Sequence, residues 1–170
     1  RPGDSFNDDP LRMMRAARFA SQLEFEIAPE VLTSMKDLAH RISIISAERV
    51  REEFTKIIMS ANPRIGITIL VDTGLADIVL PEIPKLRLEV DEHHHHKDVY
   101  EHSLTVLEQA IGLEQRLGGP NLTLRLAALL HDIGHFTSEF GTFAMTDTHD
   151  RQHEVFGAKV LEPFFPDRKR

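Results

Sequence analysis

Residues 122–134 read LTLRLAALLHDIG. From Leu122 to Ile133 the stretch is almost wholly apolar apart from Arg125, which predicts a central helix buried on most sides. It closes on a histidine and an aspartate, His131 and Asp132, just ahead of Gly134. A polar pair at the end of so apolar a helix is costly unless its groups are paired or bind a metal. Imidazole nitrogen and carboxylate oxygen together suit Zn, Fe, Mn or Ni. Adjacent residues point about 100° apart, yet both can reach one ion that lies beyond the helix's last turn.

Working outward, the segment DVYEHSLTVLEQAIGLEQRL from Asp98 to Leu117 predicts the preceding helix, with Val99, Leu104, Leu107 and Ile111 inward. LGGPN is a turn between the two helices. His102 stands beside Val99 and Val106, on the edge expected to be buried. On the other side, residues 134–150 are polar and broken, hence a loop, and HEVFGAKVLEPFF predicts a last short helix opened by His153. His102, His131, Asp132 and His153 would supply four metal ligands from three helical segments, enough for a site that keeps a position open for water. Such a water could be acidified and attack phosphorus. Asp147, His149 and Asp150 could orient the ligands from behind. All but one of the ten histidines lie between His93 and His153, and the run His93–His96 reads as an exposed loop.

Closer to the start, the first seven residues read as a loop. Asp9 followed by Pro10 predicts a helix running to about Phe25. Its buried stripe would be Leu11, Met14, Ala17 and Ala20, ending in the small polar Ser21. Arg12, Arg15 and Arg18 recur every third residue and span about 120° of the surface. A carboxylate and a guanidinium on one helix turn can meet the edge of a base, since Asp accepts from an exocyclic amine and Arg offers paired donors. The remaining arginines suit phosphates. Further helices are expected over PEVLTSMKDLAHRI from Pro29, over AERVREEFTKIIMSA after Ser46, and over RIGITILVDTG after Pro63. Residues 75–96 fall into pieces bounded by Pro, too short for a long element. The expected fold is all-α.

The chain has 170 residues, a formal charge of −7 and no cysteine. That length suits one domain or two very small ones. The absence of Cys excludes a disulfide scaffold, a thiolate zinc site and a cysteine nucleophile. No run approaches the ~18 apolar residues of a membrane span, and no signal peptide opens the chain, so a cytoplasmic protein with no membrane partner is expected.

Two stretches carry a resemblance. SFNDDPLRMMRAARFASQLEF, ISIISAERVREEFTKII, ILVDTGLADIVLPEIP, HHHHKDVYEHSLTVLEQAI and LRLAALLHDIG together resemble the tRNA nucleotidyltransferases that add CCA, especially actinobacterial members, over residues 1 to about 134. The family has a catalytic head with Mg-binding carboxylates after a Gly-Ser motif, then a neck and a helical body. Neither a Gly-Ser motif nor an Asp-x-Asp pair occurs here. The resemblance therefore implies the neck and body without the head, with tRNA, CTP and ATP as partners and substrates. It puts Asp9 and Arg12 at the nucleotide-templating positions and matches Asp8 to the acidic residue before them. It sets Arg15 and Arg18 near the nucleotide, and assigns Glu48, Arg49 and Glu53 to the motif that supports this helix.

The second half resembles the His-Asp (HD) phosphohydrolase superfamily, whose first three metal positions match His102, His131 and Asp132. A late Asp ligand has no counterpart here, and Asp167 is poorly placed for it. After HDIG the text departs from the CCA-adding pattern and is more similar to stand-alone HD proteins, including di-iron oxygenases. In those, a His of a HE-x-x-GA motif binds metal, matching His153, and a His follows HDIG, here His135. The expected organisation is a neck/body lobe over 1–90 and an HD-type lobe over 91–170. A stand-alone metal-dependent phosphohydrolase or oxygenase, and a metal-free helical scaffold, stay open as alternatives.

Overall fold

A computed structural model describes residues 1–87 and 99–132. These are helical throughout, with no strand among the described residues. The chain divides into two compact units, Arg1–Pro84 and Lys85–Arg170.

In the first unit the helices are α1 (Pro2–Asp8), α2 (Leu11–Leu23), α3 (Pro29–Leu38), α4 (Ala47–Ile58), α5 (Pro63–Asp72) and the single-turn α6 (Ala76–Val79). A further turn of helix, α7 (Glu82–Lys85), straddles the boundary between the units. α2 is the centre: α4 and α5 both pack against it, while α1 lies on α3. The apolar stripe expected for α2 is fully formed, since Leu11, Met14, Ala17, Ala20 and Ser21 are all buried, and Met13 joins them. From α4, Phe54, Ile57 and Ile58 face inward, whereas Val50 is half-buried. Burying each such side chain is worth about 1.5–3 kcal/mol, so the α2–α4–α5 seam dominates this unit.

Two expectations change. The opening residues form α1 rather than a loop: Pro2 presets the first turn, the Ser5 N–H donates to the Arg1 carbonyl, and Phe6 is buried. Burial of that one ring gives a short segment its reason to coil. The helix from Pro29 does not run unbroken to Ile42. It stops at Leu38 and tightens into a 3₁₀ turn over Ala39–Ile44, which turns Ile42 into the core. The start of α2 is as expected: Asp9 caps it, its Oδ1 accepting the Leu11 N–H at 3.2 Å and its carbonyl taking the Arg12 N–H, with Pro10 already in helical conformation just ahead of Leu11.

α5 is a helix despite its β-branched residues, as Pro63 at its start and Gly74 at its end suggested. It approaches α2 closely at Gly66. A Cβ there would collide with the Ser21 hydroxyl and sit 2.7 Å from Ile57 Cγ2 and 3.2 Å from the Ala17 carbonyl oxygen. Only a residue without a side chain lets the two backbones meet at this depth.

The second unit is built, among its described residues, on α8 (Val99–Leu113) and α9 (Leu122–Leu130). The two pack against each other. α8 tightens at its end into a 3₁₀ turn over Glu114–Leu117, and Gly118 and Gly119 then reverse the chain at φ 94° and 122°, angles that other residues rarely adopt. Asn121 caps α9 by accepting the Leu124 N–H at 3.0 Å. α9 is buried on most sides, as expected: Leu126, Ala128, Leu129 and Leu130 are buried, and among its residues only Thr123 and Ala127 face out. Arg125 is buried as well, at 4% exposure.

Its partner is Glu114, likewise buried. Arg125 Nε donates to Oε1 and Nη2 to Oε2, both at 2.7 Å, and the Asn121 N–H adds a third bond to Oε1 at 2.9 Å. The Arg125 hydrogen bonds, helped by the Asn121 N–H, hold the Glu114 carboxyl below its ordinary value of 4.5 against the opposing effect of burial.

Two predictions follow from the packing. Gly66→Ala should cost about 2 kcal/mol, read as an earlier urea midpoint for the unfolding of the first unit. Glu114→Gln should cost about 3 kcal/mol near neutral pH by leaving Arg125 charged and unpaired in the interior, and the double replacement Glu114→Leu, Arg125→Leu should recover most of it. Because the Glu114 carboxyl is depressed in the fold, its contribution is complete above its ordinary value and fades as the pH falls through the folded one. The gap in stability between parent and Glu114→Gln should therefore close in acid, measured by urea unfolding at pH 7 and pH 3.

Candidate functional site

α8 and α9 run antiparallel, so the beginning of one meets the end of the other. His102 lies in the first turns of α8, and His131 caps the end of α9. About 17 Å of helix separates His102 from Leu113, and about 14 Å separates Leu122 from His131. The matched lengths bring the two histidines together across the hairpin, with ring centroids 5.3 Å apart in an edge-on arrangement.

Asp132 joins them. Its Oδ2 lies 3.0 Å from His131 Nε2 and 3.8 Å from His102 Nε2. One donor atom from each of the three residues falls within 4.8 Å of the others. The adjacent pair His131–Asp132 thus converges off the last turn of α9, as the sequence required of a shared ion.

His131 Nδ1 lies 2.8 Å from the Ala128 carbonyl oxygen. A carbonyl only accepts, so Nδ1 carries a proton, and in the neutral form of the ring the lone pair of Nε2 is turned toward Asp132 Oδ2. Two lone-pair atoms 3.0 Å apart repel unless a proton or a cation stands between them. That geometry and the nitrogen–nitrogen–oxygen donor set fit a divalent metal, with the Ala128 carbonyl fixing the tautomer as carbonyls commonly do behind ligating histidines. His153 and His135 lie outside the described residues, as do Asp147, His149, Asp150, Asp167, the run His93–His96 and the expected last helix.

The arginine helix forms a second cluster, in the first unit. Asp9 Oδ2 pairs with Arg49 of α4 at 3.7 Å, while Oδ1 takes the Leu11 N–H. Arg12 Nη1 donates to the Ser5 hydroxyl at 2.7 Å and to the Ser5 carbonyl at 3.3 Å. Arg18 Nε lies 3.2 Å from Glu53 Oε2, too poorly aligned for a hydrogen bond but close enough for an ion pair, and Lys56 Nζ holds the other oxygen at 2.9 Å. Arg49 of α4 thus holds Asp9 just ahead of α2, and Glu53 holds Arg18 in its middle. Arg15 and Asp8 are exposed, and Glu48 stands exposed in the first turn of α4.

Four participants escaped the sequence reading. Ser5 and Arg41 belong to the setting of α1, where Arg41 donates to the Asn7 carbonyl at 3.3 Å. Glu114 and Arg125 fix the hairpin. The only signal was Arg125 itself, a lone charge in an apolar run.

Residues 24–86 match the family described as "Probable RNA and SrmB- binding site of polymerase A", and residues 99–169 match the HD domain. The second unit's histidines and aspartate therefore sit in an HD-domain region. The chain is 36% identical over 137 residues to the multifunctional CCA protein of Pseudomonas fluorescens, covering 76% of this chain and 32% of that protein. It is 35% identical over 162 residues to the protein of the same name from Actinobacillus pleuropneumoniae, covering 91% and 38%. With that of Neisseria meningitidis it shares 36% over 134 residues, covering 76% and 31%. The chain spans about a third of the length of these relatives. The likeness is not specifically actinobacterial, and the Actinobacillus match is too long to stop at residue 134, so the resemblance reaches beyond the HDIG motif.

A direct consequence concerns metal. Mn²⁺, Ni²⁺ or Zn²⁺ titrated into the protein should bind at least about tenfold more weakly to His131→Ala and to Asp132→Ala than to the parent, measured by calorimetry, with circular dichroism unchanged.

Proposed function

We propose that this chain is the neck and body of a CCA-adding tRNA nucleotidyltransferase, acting together with that enzyme's catalytic head. The observation that carries the reading is the extended likeness to multifunctional CCA proteins, in a chain that also matches an RNA-binding family and the HD domain. On this reading α2 is the template. Asp9 and Arg12 read the base edges of incoming CTP or ATP, and Asp8, Arg15 and Arg18 lie toward the nucleotide and its phosphates. Arg49 and Glu53 steady the helix, with Glu48 in the same motif. The geometry supports these roles: a base-reading pair gains selectivity when its side chains are already oriented, and Asp9 and Arg12 are each held by a neighbour. The polymerising Mg²⁺ chemistry belongs to the head. Its proposed partner is tRNA, in the cytoplasm.

The converging triad favours a second activity in the HD lobe. His102, His131 and Asp132 would hold a divalent ion, Mn, Fe, Ni or Zn, and that ion would supply an acidified water for attack on a phosphoester. His153 is the proposed fourth ligand, and His135, His149 and Asp150 the proposed supports. The chain's own part is to fix the ligands: the Ala128 carbonyl sets the His131 tautomer, and Asp132 draws both imidazoles to one point.

Rejoined to a head from a multifunctional CCA protein, the chain should add C and A to tRNA lacking its 3′ end. Asp9→Ala or Arg12→Ala should lower the specificity for CTP and ATP over the other nucleotides by about tenfold or more, read by incorporation of each nucleotide separately. Failure of the parent fusion to add either nucleotide would end this reading.

A further inference from the structure

Along its outer face α2 carries Arg12, Arg15, Phe19 and Leu23, spaced so that all four fall on one side of the helix. These residues are exposed, and Phe19 and Leu23 are large apolar side chains left 40% and 66% open. The helix contains three arginines and no acid, in a chain whose formal charge is −7. Arg15 makes no ion pair among the described residues.

The Phe19 ring is held from behind. The Arg18 guanidinium lies 4.4 Å from its centroid, and Arg18 is itself tied to Glu53 on α4. One face of the ring is therefore backed by an anchored cation while much of the side chain stays open. An aromatic ring fixed in place and flanked by free positive charge is what stacks a nucleobase at small entropic cost. A partner protein surface would be expected to meet an apolar patch, whereas here cations alternate with the ring and call for a polyanion that also carries flat bases.

We infer that Phe19 is a base-stacking seat for single-stranded RNA, with Arg15 beside it for the phosphate. This deepens the proposed function and rests on it. Arg12 and Phe19 lie about 10 Å apart along the helix axis, and stacked nucleotides advance about 3.4 Å each. A base at Phe19 is thus two to three nucleotides from one read at Asp9 and Arg12. The ring would grip the growing 3′ end, and Asp9 and Arg12 would read what is added to it.

The chain has no tryptophan, so Phe19→Trp places a single indole at the seat. A short RNA ending in CC should quench its emission, and polyphosphate, which has charge but no bases, should not. Phe19→Leu should bind that RNA about tenfold more weakly, with CTP affinity and thermal unfolding unchanged, while Phe19→Tyr should bind as the parent does. If the RNA binds the parent but Phe19→Leu binds it equally well and the indole is silent, the seat is lost and the templating reading stands. Equal affinity for polyphosphate and RNA would reduce the face to a charged surface and overturn the inference. If RNA does not bind the parent at all, the seat is overturned, while the templating reading is still decided by whether the fusion adds C and A. A parent that sediments as a dimer broken by Phe19→Asp would assign the face to a second copy instead.

Discussion

The hairpin of the second unit depends on one buried ion pair. Glu114 and Arg125 meet through two hydrogen bonds at the closed end of α8 and α9, out of reach of water. Apolar packing alone leaves the register of two helices loosely fixed, since Leu126 or Leu129 could settle into neighbouring grooves at modest cost. A charge cannot slide in that way. Shifting α9 by one turn would strand a guanidinium and a carboxylate in the interior, and an unpaired buried charge costs several kcal/mol. The third bond, from the Asn121 backbone, ties the turn to the same carboxylate. The register set at the closed end decides what meets at the open end, where His102 comes level with His131 and Asp132.

In the first unit the organising device is different. Small residues, Ala17, Ala20, Ser21 and Gly66, let α5 press against the inner side of α2. Charged residues of α4 then hold α2 from the side. Arg49 reaches Asp9 and Glu53 reaches Arg18, while Ser5 on α1 takes Arg12. Packing sets how deep α2 lies, and these polar contacts set how it is turned.

What the sequence disclosed follows from how local each signal is. The helices that present an apolar face at regular spacing, α2, α4, α8 and α9, could be read because period and burial coincide in a single segment. His131 and Asp132 stood out because a polar pair closing an apolar run is itself an anomaly, and His102 because it shares an edge with Val99. α1 was missed: seven residues with a proline and a glycine look like a loop until Phe6 finds a core to enter. Glu114 and Arg125 were missed as partners, for they lie on different helices and nothing in their spacing says that the chain reverses between them at that angle. The same holds for Ser5 and Arg12, whose contact exists only once α1 has folded back alongside α2.

The two ties on α2 have a mechanical consequence. Asp9 and Arg18 are about 13 Å apart along the helix axis, and both are fastened to the same neighbour, α4. Rolling α2 against α4 would stretch both ion pairs at once. The orientation of the face that carries Arg12 and Arg15 is thereby coupled to the position of α4.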